Sequence, residues 1–309
     1  RGLGLGPGDR LAILLSQGPE TAVAHIAAYK LGAVVMPLFT LFGPDALEYR
    51  LADSGAKAIV GDAENLAKVI PLLERLPVLE ILISMDGGGA HGYGDLIDRA
   101  SDSLGPRDTA AEDAAMSVYT SGTTGNPKGV QVKHLMYVAA GQGFAHWTEA
   151  TPDDRFFTCL PYYHANIQYY STMGALAAGS TLVVTDRFSA SRFWGQVREA
   201  KATIVNFIGM MMPVLAKNEP SPGDKDNTVR LFYGSPSFPP EFLADFQDRF
   251  DTDIIVGFGM TETCYGTIEK IGVERRAGSS GEPRQHPQGG FENQVRIADA
   301  VTGVHVGVD

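Results

Sequence analysis

The stretch that most restricts this chain is Tyr119 to Val130, Y-T-S-G-T-T-G-N-P-K-G-V. An apolar run from Met116 to Tyr119 predicts a buried strand that feeds a loop of glycines and hydroxyls, and the β-branched Val130 and Val132 predict a second strand after it. The loop has the composition of a phosphate cradle. Gly122, Gly125 and Gly129 lack a Cβ, so backbone N–H groups can approach a bulky anion, while Thr120, Ser121, Thr123 and Thr124 add short rotatable donors. Lys128 adds a full positive charge, and Pro127 stiffens the loop exit and biases Asn126 away from helical backbone. This is not the common nucleoside-triphosphate loop, which needs glycine where Pro127 stands and Ser or Thr where Gly129 stands. A plain Ser/Thr/Gly surface turn is the competing reading, but such a turn does not need a lysine held behind a proline between two apolar strands.

Composition narrows the classes. With 309 residues, 44% hydrophobic and 20% charged, the chain has the make-up of soluble globular material, with room for one large domain or two smaller ones. A formal charge of −11 and the lack of a basic run argue against a nucleic-acid binder, so any anion site must concentrate positive charge locally. Cys159 and Cys264, far apart and without CxxC spacing, read as buried small side chains in a reducing compartment. No apolar run approaches the ~20 residues of a membrane span, and no signal-peptide core stands at the start. A cytoplasmic protein is the expectation, with homo-oligomerisation left open.

Read in order, the chain alternates strand and helix signals, which predicts an α/β fold. Arg1 to Gly8 fails the dinucleotide pattern at both possible starts and reads as a turn before a strand at Leu11 to Leu15. A helix from Glu20 to Leu31 ends at Gly32, a second opens at Pro44, and a third spans Asn65 to Leu76, with strands at Val34 to Met36, Ala58 to Val60 and Leu79 to Ser84. His25 and Tyr29 lie four apart on one helix face, where a packed or partly exposed histidine is preferred to a ligand. Beyond the loop, helices are predicted at Leu135 to Trp147, Ile167 to Ala178 and Pro239 to Phe250, and Ser189, Ser191 or both are expected to cap another running to Ala200. Pro161-Tyr162-Tyr163-His164 follows a strand, where open α/β sheets place ligands. Met210, Met211 and Met212 read either as core filling or as the lining of an adaptable pocket.

These motifs together resemble the adenylate-forming superfamily of acyl-CoA synthetases, luciferases and peptide-synthetase adenylation domains. The loop matches that family's T-S-G-T-T-G-x-P-K-G, and Gly257-Phe258-Gly259-Met260-Thr261-Glu262 matches its G-Y-G-M-T-E with phenylalanine at the tyrosine. Gly234-Ser235-Pro236 is close to its adenine-facing turn, and Gly278 to Pro283 and a strand at Gln294 to Asp299 fit its later motifs, whereas Arg284 to Glu292 departs from them. The resemblance implies a layered αβαβα domain with two stacked, mostly parallel sheets. It treats residues 1–309 as a partial N-terminal domain, with a first α/β part at 1–112 and the nucleotide-site part at 113–309, truncated at both ends and without the small C-terminal domain.

It further implies activation of a small carboxylic acid by ATP to an acyl-adenylate, then transfer to CoA. In this picture Thr120 to Gly125 and Lys128 grip the phosphates, Thr261 reaches the α-phosphate, and Glu262 holds Mg²⁺ with Thr120 as a second contact. Gly234 to Pro236 and Gly257 to Met260 form the adenine side, with Phe258 stacking on the base. His164 lies beside the carboxylate; by residue type it could be a general base, a hydrogen-bond donor or a plain loop residue, and the donor role is preferred because a carboxylate is already ionised and needs positioning, while Tyr163 and Met210 line the acyl pocket. Wording around Pro161 to His164 and Phe193 to Val197 is closest to carnitine/crotonobetaine-type CoA ligases. Another adenylate-forming enzyme, or a nucleotide-binding module without catalysis, are the rival readings. A chain of this extent is expected to bind nucleotide weakly and to adenylate poorly.

Overall fold

The computed structural model describes residues 2–87, 90–105, 107–120, 125–290 and 294–305. Two compact units are present. Arg1–Val138, Cys159–Tyr169 and Val184–Phe188 form one, and Ala139–Thr158, Tyr170–Val183 and Ser189–Asp309 form the other.

The first unit is built on strands β1 (Arg10–Leu14), β2 (Val34–Pro37), β3 (Ala58–Gly61), β4 (Ile81–Ser84), β5 (His91–Gly92), β6 (Ala114–Thr120) and β7 (Lys128–Lys133), in the order β5-β4-β3-β1-β2-β6-β7. Every pairing is parallel except the β6–β7 hairpin. Parallel neighbours require crossovers, and helices α1 (Pro19–Leu31), α2 (Pro44–Ser54) and α3 (Ala63–Val69) provide them, followed by α4 (Tyr93–Asp98). Local chemistry sets their ends. Gly32 (φ 70°) and Gly55 (φ 63°) adopt left-handed backbone after α1 and α2, and Asp62 accepts a hydrogen bond from Asn65 N–H at the start of α3. Leu47, Leu51, Leu66 and Val69 from α2 and α3 join Leu14, Met36 and Ile59 from the strands in one buried cluster.

The second sheet comprises β8 (Arg155–Thr158), β9 (Thr181–Val184), β10 (Ile204–Ile208), β11 (Leu231–Ser235), β12 (Asp253–Phe258) and β13 (Thr267–Ile268), in the order β13-β12-β11-β10-β8-β9. β8, β10, β11 and β12 run parallel, and β13 returns antiparallel to β12. Helices α5 (His134–Trp147), α6 (Met173–Ala178), α7 (Phe193–Ala200), α8 (Met211–Ala216) and α9 (Pro240–Phe250) alternate with these strands. An aromatic core ties α7 and α9 to the sheet: Trp194 stacks on Phe250 at 4.5 Å between ring centres, and Phe232 of β11 meets Phe246 edge-on at 5.5 Å. Asp154, buried before β8, accepts from Thr203 at 2.6 Å and from Arg230 at 3.0 Å. Burial alone would raise its pKa, but these partners hold it at about 2. The α/β class and the two mostly parallel sheets agree with the sequence reading.

Four local expectations are corrected. The helix expected over Asn65 to Leu76 stops at Val69 and continues as a tighter 3₁₀ turn, Ile70–Arg75, because Pro71 has no N–H for an α-helical bond. The helix expected from Ile167 begins as a wider π turn, Ile167–Thr172, before α6. Neither Ser189 nor Ser191 caps α7 through its hydroxyl; the Ser189 carbonyl accepts from Arg192 and Phe193 N–H instead. Gln294 to Asp299 forms no strand among the described residues, where only an Ala298–His305 bridge occurs, because a strand needs a sheet neighbour.

Candidate functional site

The sequence-predicted residues divide between the two units. In the first, β6 and β7 form a hairpin paired in register up to Thr120 and Lys128, so the glycine-hydroxyl loop leaves and re-enters at one pair of residues. Ser121, Gly122, Thr123 and Thr124 lie outside the described residues. Gly125 is exposed with φ 89°, a conformation that favours glycine. Lys128 is exposed and makes no ion pair among the described residues. Helix α2 supports the hairpin from below: Tyr49 O–H donates to the Pro127 carbonyl at 3.1 Å, and Tyr119 O–H donates to Asp53 at 2.6 Å. The Arg50 guanidinium is buried over the Phe42 ring at 4.1 Å. Gly129 has a packing reason, because a Cβ there would stand 2.8 Å from the Ser117 hydroxyl and 3.3 Å from the Tyr119 ring.

The Pro161 to His164 step is a β-turn, closed by His164 N–H donating to the Pro161 carbonyl at 3.0 Å. Tyr163 packs against Phe39 at 4.4 Å and against the His164 ring at 4.6 Å. The His164 ring reaches solvent, yet the protein mass around it lowers its pKa by desolvation. At neutral pH the ring is therefore neutral and offers one N–H donor and one lone pair. Cys159, on the same segment, is buried, and burial pushes its thiol up to about 12.

In the second unit three parallel strands bring separate motifs to one sheet edge. β10, β11 and β12 are in register at Ile208↔Ser235 and Gly234↔Val256, so their C-terminal ends present Met210, Ser235-Pro236 and Phe258 to Glu262 side by side. That edge is where open α/β sheets bind ligands. Gly234 and Ser235 are the last residues of β11, where the sequence suggested a turn. Met210 is 75% exposed, whereas Met211 and Met212 are buried in α8, so the methionine run splits between surface and core. Phe258 and Met260 are 52% and 48% exposed and offer an apolar face at the edge.

The glycines of this motif are sterically obligatory. A Cβ on Gly257 would stand 2.8 Å from the Thr267 carbonyl, and one on Gly259 would stand 2.5 Å from the Cys264 carbonyl. The turn after them is tied by Met260 N–H donating to the Thr263 hydroxyl at 3.2 Å. Glu262 is exposed and makes no ion pair or hydrogen bond among the described residues. A lone carboxylate of this kind suits Mg²⁺, which retains waters and shares phosphate oxygens. No group of three or more His, Cys, Asp or Glu side chains converges among the described residues, so these residues do not build an all-protein metal cage.

Sequence reasoning missed the groups that hold the Pro161 turn. Gln168 is fully buried in the π turn; its Nε2 donates to the Tyr162 carbonyl at 2.6 Å and to His25 Nε2 at 3.2 Å, and its Oε1 accepts from Tyr137 O–H. These partners fix the amide orientation and make His25 Nε2 an acceptor, so Nδ1–H faces Tyr29 O–H at 3.2 Å. The signal available was a glutamine inside an otherwise apolar and aromatic helix. Burial lowers the His25 pKa to about 3. Between the unfolded value of about 6.5 and that folded value, only the unfolded chain binds a proton, so stability falls as pH drops through this window. We expect urea midpoints to drop on going from about pH 7 to pH 5, with a loss attributable to His25 on the order of 1 kcal/mol per pH unit. Denaturation of His25→Gln beside the parent at both pH values checks this; an identical slope in the two proteins would rule it out.

Comparison with known proteins gives the same direction. The family described as AMP-binding enzyme matches residues 1–309. The crotonobetaine/carnitine–CoA ligase of Salmonella paratyphi A is 31% identical over 309 residues, covering 96% of this chain and 58% of that protein. The chain thus spans a little over half the length of the curated relatives it matches. Among solved structures, the anthranilate CoA ligase AuaEII in complex with anthranoyl-AMP superposes with a TM-score of 0.87 at 23% identity, covering 99% of this chain and 59% of that one. ATP-bound MatB from Rhodopseudomonas palustris gives a TM-score of 0.85 at 24% identity, with 99% and 59% coverage. At these identities the structural likeness carries the fold. No helix among the described residues is long and apolar enough to cross a membrane. With strand-end motifs of the expected kind and a family match along its length, the chain belongs to the AMP-binding enzyme family.

Proposed function

We propose that this chain carries the nucleotide and acid sites of an AMP-forming acid–CoA ligase, acting on a small carboxylic acid of the crotonobetaine/carnitine type. The observation that carries the reading is the strand-end edge, where β10, β11 and β12 bring Met210, Ser235-Pro236 and Phe258 to Glu262 together. Phe258 stacks on adenine beside the backbone of Gly234 to Pro236, and Thr261 reaches the α-phosphate. Lys128 and the loop donors Thr120, Ser121, Thr123 and Thr124, with the amides of Gly122 and Gly125, hold the β- and γ-phosphates. Glu262, with Thr120, would hold Mg²⁺, which when bound neutralises phosphate charge.

His164 donates its N–H to the acid's carboxylate and aims one oxygen at the α-phosphorus, with Tyr163 and Met210 flanking the acyl chain. A carboxylate oxygen–phosphorus bond forms, the α–β phosphoanhydride bond breaks, and pyrophosphate leaves. A CoA thiol then attacks the acyl carbon, AMP departs with the former carboxylate oxygen, and the thiol proton is released. The protein's contribution is alignment and electrostatics, since two anions must meet.

Acid-dependent pyrophosphate release and calorimetric titration with ATP and Mg²⁺ test the reading. An absence of nucleotide binding at millimolar ATP would refute it. The loop-exit brace gives a finer check. Tyr49→Phe removes one hydrogen bond to Pro127, so ATP affinity is expected to fall by about threefold, the equivalent of roughly 0.5–1 kcal/mol. The melting temperature should stay near that of the parent, and an unchanged affinity would remove Tyr49 from the site's support.

A further inference from the structure

We infer that Gln17 and Gln168 are positioning residues that clamp the Tyr162 backbone, each holding one of the two peptide groups that flank its Cα, and so set the direction in which the Pro161 turn presents His164. The inference rests on the functional reading above for what His164 does, though not for the clamp itself. The two amides come from distant parts of the chain. Tyr162 N–H donates to Gln17 Oε1 at 3.2 Å, and the Tyr162 carbonyl accepts from Gln168 Nε2 at 2.6 Å. Each amide is locked on its other side. Gln17 Nε2 donates to the Thr185 carbonyl at 2.6 Å, and Gln168 is held by Tyr137 O–H and His25.

The chemistry favours positioning over simple cohesion. Gln168, His25, Tyr137 and Tyr162 are all buried, at 0%, 2%, 3% and 3% exposure. Apolar side chains of similar volume would fill this space without needing every donor and acceptor matched. A fully matched network instead fixes one backbone orientation. It acts two residues before His164, whose own N–H closes the turn and whose ring lies against Tyr163. Protonated His25 would face the Gln168 amide donor with a donor of its own, so the clamp holds only while His25 is neutral.

The test separates a lost clamp from lost stability. Histidine side-chain NMR titration, with the His164 signal assigned by its loss in His164→Gln, is run on the parent, Gln17→Ala, Gln168→Ala and Leu66→Ala. Leu66 is a buried core residue of the same unit outside the network, so its variant reports destabilisation alone. We expect the His164 pKa to rise towards the ordinary value of about 6.5 in both glutamine variants and to stay put in Leu66→Ala. An unchanged value in folded Gln17→Ala and Gln168→Ala overturns the clamp; if Gln168→Ala does not fold, the half-buried Gln17 decides alone. A second arm titrates a short-chain acyl-sulfamoyl adenosine and, separately, ATP. Affinity for the acyl-adenylate mimic should fall by about fivefold in Gln17→Ala while ATP affinity holds. Equal loss for both ligands overturns a role specific to the acid. A parent chain that binds neither ligand refutes the functional reading instead, and the NMR arm still decides the clamp.

Discussion

Gly234→Ala is expected to unfold the second unit or leave it barely stable. Gly234 lies in β11 opposite Phe207 of β10, and a Cβ there would stand 2.0 Å from the Phe207 carbonyl oxygen and 2.9 Å from its carbonyl carbon. Both are backbone atoms of a fully buried strand residue, so no flexible side chain can swing away. Relief requires parting two parallel strands in the middle of the sheet, which breaks ladder bonds and opens the aromatic packing of Phe232 and Phe246. Overpacking costs typically about 1–3 kcal/mol; with rigid backbone on the receiving side we expect more than about 4 kcal/mol. That is a large share of a domain's ordinary stability. Expression yield, far-UV circular dichroism and thermal melting read the outcome, and a folded variant melting within a few degrees of the parent would show that the strands can part after all. Because Ser235 and Pro236 follow directly, any partly folded Gly234→Ala should also lose the strand-end edge proposed to face adenine.

Lys128→Ala should leave the fold intact and remove most nucleotide affinity. Lys128 is exposed at the hairpin's re-entry, paired with Thr120 across the ladder, and makes no ion pair among the described residues. Its removal breaks no packing, so the melting temperature should move little. In a chain of formal charge −11, a cation at the loop proposed to hold the phosphates would carry much of the local attraction for a polyphosphate. A charge-assisted bond to phosphate contributes about 1.5–3 kcal/mol, which corresponds to roughly a 10- to 100-fold loss of affinity. Calorimetry with ATP and Mg²⁺ at low and high salt checks both parts: the parent should lose affinity with salt more steeply than Lys128→Ala. Equal affinities in the two proteins would detach the loop from phosphate binding and take the functional reading with it.

Much of this was legible before any coordinates. The strand–helix alternation, the end of α1 at Gly32 and the opening of α2 at Pro44 follow from local chemistry, in which a residue's own backbone preference or hydrogen-bonding groups decide the outcome, and the two motifs stand out by their resemblance to the adenylate-forming pattern. Where the reading slipped, a local rule met a competitor. Pro71 broke a helical pattern that hydrophobic spacing alone would have continued, and the Ser189 carbonyl took the capping work assigned to its hydroxyl. Residue type alone gave no reason for Gly257 and Gly259 beyond the motif match, and the structure supplies one in the carbonyls of Thr267 and Cys264.

The sequence by itself determined the class of fold, the order of its elements and the chemical character of the loop, because each depends on residue type and short-range spacing. Only the tertiary structure decided that β10, β11 and β12 deliver Met210, Ser235 and Phe258 to one edge, that a Cβ has no place at Gly234, and that Gln17 and Gln168 grip the backbone of the same residue from positions far apart in the chain. Those outcomes depend on which strands become neighbours and on which buried polar groups find partners. Pairing of that kind is a property of the folded sheet as a whole, and no short window of residues contains it.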